Sequence, residues 1–353
     1  MALRKIAFVL EEFIVSAPSQ QLLDRFLIGY LRDGEFRRIP NLGIAVWLAP
    51  AAENSTALAD ATTGLAVRQR DFKLVSHSNV TDALKDAEAV VAIAARDRVS
   101  VGEDLLKNVL EQAPIGAACF VHGCLATNLA SAQRLVSIAA ARKLAVAVAT
   151  SVSTTFRLPE VDVAANTPLA EALIVVQGPR PLAELSAIDG LLPVVARRKG
   201  GESRLRSVRR LQGREVWRAG DKGEWSWPLL SAAISRSNTT QGDPVRDGRT
   251  QDLVGLGLVR KLARDPRGWI IEHTDGLRST ILVLDGVVAD INFAVRSRDG
   301  SITSAQLYRP PAPNRAEFDR LAAVLEDFFT TRSAPWPIER SLLVSQFMQI
   351  VTA

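Results

Sequence analysis

The sequence predicts an α/β protein in two parts: an N-terminal Rossmann-like, doubly wound parallel sheet, then an α+β domain with a mainly antiparallel sheet. Three observations carry this. Through residues 1–150, short apolar runs alternate with helical patterns. Those runs are apolar throughout, as strands covered on both faces must be. After Thr150 strand-rich segments are separated by Asp275-Gly276, Asp285-Gly286 and Asp299-Gly300, turn dipeptides that favour antiparallel pairing.

Each element has its own warrant. Residues 4–10 are short, apolar and partly β-branched, which marks a buried first strand. Residues 20–30 place Leu22, Leu23, Phe26 and Leu27 on one side at helical spacing. Further strands follow at 43–48, 73–76, 89–94, 117–121 and 144–149. Helices alternate with them at 54–67, 81–87, 102–112 and 128–142, the second opened by Thr81 or Asp82 as cap. In the second part, 172–177 is a strand ended by Gly178-Pro179, and 182–195 is a helix. Segments 205–211 and 215–218 flank Gln212-Gly213 and read as a hairpin. A helix at 226–237 precedes strands at 269–273, 279–284, 287–294 and 302–308. An amphipathic helix at 318–329, a stop at Pro335-Trp336-Pro337 and a last helix from Ile338 close the chain. The expected domains are 1–150 and 151–353, with helices in 318–353 returning to the first domain. The polar segment 239–257 is the expected disordered or lid-like stretch.

Composition narrows the class. The 353 residues are 47% hydrophobic and 23% charged, enough chain for two cores. The apolar runs fall far short of the ~20 residues a membrane helix needs. MALRKIAFVLEEF lacks a cleavage site and turns acidic at once, unlike a signal peptide. A net charge of +5 on this length does not indicate nucleic acid. The two cysteines, Cys119 and Cys124, form no disulfide framework and, with one nearby histidine, too few ligands for zinc. A cytoplasmic protein with no bound metal is expected.

Residues 120–148 read FVHGCLATNLASAQRLVSIAAARKLAVAV. This stretch resembles the strand–loop–helix that carries Glu-Lys-Pro in the glucose–fructose oxidoreductase / inositol dehydrogenase family. The tripeptide here is His122-Gly123-Cys124. The layout of the whole chain, and its closing segment FDRLAAVLEDFFTTRSAPWPIERSLLVSQF, are similar to the same family. The phrases DRFLIGY, FRLP, RRKGGE, AISRS and ERSLL resemble a divergent bacterial branch of it. The resemblance implies a nucleotide-binding half and a substrate half. It also places the family's catalytic lysine at Gly123, and a histidine of the branch near Ser186.

The residues depart from that family where a dinucleotide would bind. Glycine at the first turn lets backbone amides approach a pyrophosphate at a helix N-terminus. No glycine occurs between Met1 and Gly29, and Glu11 and Glu12 stand after the first strand. Trp47-Leu48-Ala49-Pro50 ends the second strand without an acid for a ribose or an arginine for a 2′-phosphate. No cofactor is therefore expected; the alternative is NAD or NADP held by an atypical phosphate loop.

Candidate site residues follow from position and chemistry. His122 and Cys124 sit at the carboxyl end of a parallel strand, His122 as acid or base and Cys124 as nucleophile if His122 lowers its pKa. A structural pair left by motif decay is the competing account. Arg157, past the last parallel strand, and Arg198 and Lys199 in RRKGGE are candidate substrate clamps. Against this stand ion pairing for Arg157 and a cation-rich helix end for the other two. His273 on an alternating strand is a further candidate. Arg236 and Glu339-Arg340 read as structural. Trp217, Trp225 and Trp227 suit packing better than a sugar platform. The main expectation is a non-redox protein in a degenerate oxidoreductase frame. It would be a lyase, hydratase or isomerase on a small polyhydroxy or carboxylate molecule in a cleft between the domains, or a pseudoenzyme subunit. The alternatives are an NAD(P)-dependent sugar oxidoreductase and an assembly or regulatory subunit. A homo-oligomer, or a hetero-oligomer with a paralogue, is the expected partner state.

Overall fold

The structure, a computed structural model, describes residues 3–50, 56–240 and 252–353. It forms two units, one of Met1–Thr155 with Arg309–Thr352, the other of Phe156–Tyr308.

The first unit begins with β1 (Lys5–Leu10), α1 (Pro18–Leu27), a ribbon of β2 (Tyr30–Arg32) and β3 (Glu35–Arg37), and β4 (Gly43–Leu48). Then come α2 (Thr56–Phe72), β5 (Val75–His77), α3 (Val80–Leu84), β6 (Ala89–Ile93), α4 (Glu103–Gln112), β7 (Ala118–His122), α5 (Leu129–Ala141) and β8 (Ala145–Ala149). A 3-10 turn, Ser151–Thr154, ends this part. Its sheet has the order β5-β4-β1-β6-β7-β8 and is parallel throughout. This is a doubly wound order, with its switch point between β1 and β6.

The continuous apolar run of β1 has a direct cause. Ile6, Phe8 and Leu10 enter one core; Ala7 and Val9 enter the other, and all five are buried. Asn79 caps α3 by accepting the amide of Asp82, so this helix starts ahead of the Thr81 or Asp82 cap expected from sequence. Asn128 caps α5 through the amide of Ser131 at 3.1 Å.

The second unit contains β9 (Phe156–Leu158), β10 (Leu169–Val176), α6 (Leu182–Val195), β11 (Leu205–Gln212), α7 (Arg214–Asp221), α8 (Trp227–Ile234) and α9 (Val259–Leu262). It continues with β12 (Arg264–His273), β13 (Arg278–Asp285), β14 (Asn292–Ser297) and β15 (Ile302–Tyr308). The seven-stranded sheet runs β11-β12-β13-β10-β14-β15-β9 and is antiparallel except where β10 meets β13. Two Asp-Gly turns join neighbours, β12 to β13 and β14 to β15. The third does not, because β10 lies between β13 and β14. Its glycine has another reason: a β-carbon on Gly286, at φ 89°, would stand 2.6 Å from the Leu262 carbonyl oxygen.

The hairpin expected about Gln212-Gly213 is absent. After β11 the chain turns at Gly213 into α7, and β11 pairs with β12 instead. The cause is side-chain periodicity: Val216, Trp217, Ala219 and Gly220 make a buried helical face. A β-carbon on Gly220 would lie 2.5 Å from the Trp225 ring, so that position has to be small. Most of the polar segment 239–257 lies outside the described residues.

The chain then re-enters the first unit as α10 (Glu317–Thr331) and α11 (Ile338–Thr352). Phe318, Leu321, Leu325, Phe328 and Phe329 of α10 join the core on the α1 side of the parallel sheet. α11 packs on α5 and β8. Among the described residues no helix is long and apolar enough to cross a membrane.

Candidate functional site

The carboxyl ends of β1, β4, β6 and β7 form the region where open α/β sheets bind ligands. The β1–α1 connection, residues 11–17, crosses it without a glycine. Glu11 turns its carboxylate to the β6–α4 loop. Its Oε2 accepts the Ala95 amide at 3.1 Å, and Oε1 accepts the Gly102 amide at 2.7 Å and Arg98 Nη1 at 3.0 Å. Glu12 Oε1 accepts the Arg96 amide at 2.5 Å. Burial pushes the Glu12 carboxyl above its ordinary range, against the opposing pull of that amide.

The next residue, Phe13, is 1% exposed and sits in the core, with the Arg68 guanidinium 4.9 Å from its ring centroid. A β-carbon on Gly64 of α2 would lie 2.8 Å from that ring. The Ser16 amide donates to Gln20 Oε1 at 2.9 Å, and Pro18 opens α1 with no amide proton. Ala49, past β4, donates its amide to the Leu10 carbonyl at 2.8 Å.

At β7, His122 is partly exposed as a residue, but its Nε2 is buried and finds no hydrogen-bond partner among the described residues. Its ring stacks on Phe318 with centroids 6.3 Å apart and meets the edge of Phe120 at 6.5 Å. Burial, with Arg315 adding to it, pushes the imidazole down to about 4, so it is neutral at pH 7. Gly123 has φ 120°, and a β-carbon there would fall 2.4 Å from the Val99 carbonyl oxygen. Cys124 is fully buried; its thiol donates to the Ala126 carbonyl at 3.5 Å.

The remaining candidates lie in the second unit. Arg157 pairs with Asp162, which Arg197 also approaches at 3.4 Å. Arg198 is 4% exposed and fully engaged, with Asp275 and Ser203 each at 2.7 Å and the Val195 carbonyl at 2.7 Å. Lys199 is exposed, and its amide donates to Thr167. His273 is buried, with Nε2 3.0 Å from Ser279 Oγ. Burial first, and then Arg198, push it down to about 4. The structure thus brings Arg198 and His273 together and ties Arg157 to a separate ion pair. Trp225 is buried, donates to the Val216 carbonyl at 2.7 Å and packs with Trp227 at 4.4 Å.

Sequence reasoning missed a polar cluster in the first unit. Glu326 on α10 is buried and bonded by Tyr30 and Arg37, while Arg32 pairs with Asp327. Arg32, Arg37, Glu326 and Asp327 line a cavity of about 610 Å³ beside the β2–β3 ribbon. The signal was distributed: its partners lie some 290 residues apart in the chain. Among the described residues no group of three or more His, Cys, Asp or Glu is arranged to hold a metal ion.

The chain has the fold of the glucose–fructose oxidoreductase / inositol dehydrogenase type of NAD(P)-dependent oxidoreductase. Solved structures carry that conclusion. GenD2 from gentamicin A biosynthesis, in complex with NAD, matches with a TM-score of 0.59 at 12% identity, over 100% of this chain and 94% of that one. The myo-inositol dehydrogenase of Lactobacillus casei, in complex with NAD(H) and myo-inositol, matches with a TM-score of 0.57 at 13% identity, over 99% and 94%. The biliverdin reductase of Synechocystis, in complex with biliverdin and NADP+, matches with a TM-score of 0.52 at 11% identity, over 99% and 98%. No protein-family model matches the chain, and no curated protein matches it. Identities this low establish the fold alone.

Proposed function

We propose that the chain is a non-redox member of this fold, a pseudoenzyme subunit that works without a nicotinamide cofactor. One observation carries the proposal. The position that the resemblance assigns to the catalytic lysine is Gly123, where any side chain would collide with the Val99 carbonyl. The first strand–helix turn agrees. A dinucleotide needs unoccupied amides there. The Ser16 amide is bonded to Gln20, Pro18 has none and Phe13 is buried in the core, while Glu11 and Glu12 of the same turn are bonded to amides of the β6–α4 loop. These residues do not fit a pyrophosphate.

In this proposal His122, neutral at the end of β7, meets a small polyhydroxy or carboxylate ligand as a hydrogen-bonding group. Arg157, Arg198, Lys199 and His273 serve the second unit, the first two already within ion pairs. Cys124 is structural. A homo-oligomer, or an assembly with a catalytic paralogue, and a cytoplasmic setting complete the proposal; two buried cysteines outside any disulfide accord with that setting.

The second reading is an NAD(P)-dependent oxidoreductase with an atypical phosphate loop, acting on a sugar-like substrate. The comparisons favour it, since neighbours in fold were solved with NAD, NAD(H) and NADP+. Titration of the full chain with NADH and NADPH, by calorimetry and nicotinamide fluorescence, separates the two. Binding at micromolar cofactor overturns the first reading. No binding at millimolar cofactor removes the second.

A further inference from the structure

The β2–β3 ribbon turns one face to the protein and the other to water. Across it Tyr30 stands opposite Arg37, Leu31 opposite Phe36 and Arg32 opposite Glu35. Side chains alternate along a strand, so Tyr30, Arg32, Glu35 and Arg37 share one face, Leu31 and Phe36 the other. The first face is fastened to α10. The Tyr30 hydroxyl and the Arg37 guanidinium donate to Glu326, and Arg32 donates to Asp327 at 3.1 and 2.9 Å. The turn at Asp33-Gly34, with φ 54° and 86°, suits the twist of a two-residue hairpin. The second face is open: Leu31 is 55% exposed and Phe36 64%. The Phe36 ring is nonetheless backed by the chain, since a β-carbon on Gly29 would lie 2.6 Å from it. Beside this apolar pair, Glu35 and Arg38 are exposed and have no ion pair among the described residues. Glu35, Phe36 and Arg38 also line the open cavity between the ribbon and α10.

We propose that this face is a contact between two copies of the chain about a two-fold axis, Leu31 and Phe36 of one against those of the other. Charge identifies the partner. A two-fold contact sets a patch against itself, so the patch has to complement its own copy. Glu35 and Arg38 supply unpaired charges of both signs, and Glu35 of each copy meets Arg38 of the other. A patch of one sign would repel its copy. The hairpin is fixed on α10 and the Phe36 ring on Gly29 before a partner arrives, which lowers the cost of association. Area sets the strength. The two side chains offer on the order of 200 Å², given the ~150–250 Å² of one aromatic. A standard interface takes about 800 Å² from each partner. The cavity walls therefore join the contact, and the dimer dissociates on dilution. The inference gives the homo-oligomer of the proposed function its surface, and rests on that part of the proposal alone.

The test is sedimentation equilibrium of the full chain from low to high micromolar protein. Wild type is expected to dimerise reversibly. Leu31→Asp and Phe36→Asp should each raise the dissociation constant about tenfold or more. Both side chains already meet water, so urea unfolding of the dilute variants should match wild type and exclude misfolding as the cause. Glu35→Arg and Arg38→Glu each set like charges opposite one another and should weaken self-association. An equimolar mixture of these two variants restores opposite charges across the axis and should associate more tightly than either alone. A mixture no tighter than its components overturns the inference. A wild-type oligomer that Leu31→Asp and Phe36→Asp leave intact overturns this surface and leaves the homo-oligomer standing. A monomeric wild type overturns both, as it would if the ribbon served a different protein. The NADH titration judges the cofactor-free reading separately, and no result there bears on this contact.

Discussion

The carbonyl oxygen of Val99 accepts the amide of Cys124 at 2.7 Å, and the same oxygen would lie 2.4 Å from a β-carbon on Gly123. One loop carbonyl therefore both fastens the end of β7 and closes the neighbouring position to side chains. The close approach and the φ of 120° each require glycine. Replacing Gly123 by lysine, the residue the family resemblance would restore, should cost about 2–5 kcal/mol, from the strained φ and overpacking together. Urea denaturation measures it. A stable Gly123→Lys variant that oxidises sugars with NAD would count against the whole account.

Both thiols should be silent in the folded protein. Cys119 and Cys124 are buried, and burial pushes the Cys119 thiol up to about 12. A thiolate is the reactive form. An aromatic disulfide reagent at pH 8 should release no chromophore from native protein, then two equivalents after guanidinium is added. Rapid labelling of Cys124 in the native state would revive it as a nucleophile.

Acid should destabilise the second unit through His273. Its native pKa of about 4 lies below the ordinary 6.5, so the folded state holds the ring neutral. The contribution is complete above pH 6.5 and is lost as pH falls toward 4. By pH 5 the loss amounts to about 2 kcal/mol. Denaturation of wild type and His273→Asn at pH 7 and pH 5 reads this directly. The gap between them should shrink by that amount at pH 5, and an unchanged gap would refute it. His122 acts in the same direction in the first unit.

Glu184 is fully buried on α6 and pairs with Arg267 at 3.0 Å, while Arg267 also donates to the Gly178 carbonyl at 2.7 Å. Burial pushes the Glu184 carboxyl up even with this partner. Removing one member strands a buried charge. Arg267→Met should cost about 3–5 kcal/mol, and adding Glu184→Leu should recover most of it. A double variant no more stable than the single one would show that the pair holds the fold by more than charge balance.

What the sequence determined by itself is local and periodic. Runs such as IAFVL and AVVAI are apolar on both faces, which specifies strands inside a parallel sheet, and Asp275-Gly276 and Asp299-Gly300 specify tight antiparallel turns. The absence of glycine before Gly29 already cast doubt on an ordinary phosphate loop. Tertiary structure decided what depends on approach through space. It decided that β10 separates β13 from β14, so that Asp285-Gly286 joins no neighbours, and that residues after Gly213 coil because Trp217 and Trp225 need a common core. It also decided the state of the site. Glu11 and Glu12 read as charges that would repel a phosphate; in the fold they are acceptors for amides some 84–91 residues away. His122 read as an acid or base poised near neutrality, and the Phe318 ring brought by α10 buries it in the neutral form. Periodicity is written along the chain, whereas desolvation and steric closure arise only when distant segments meet.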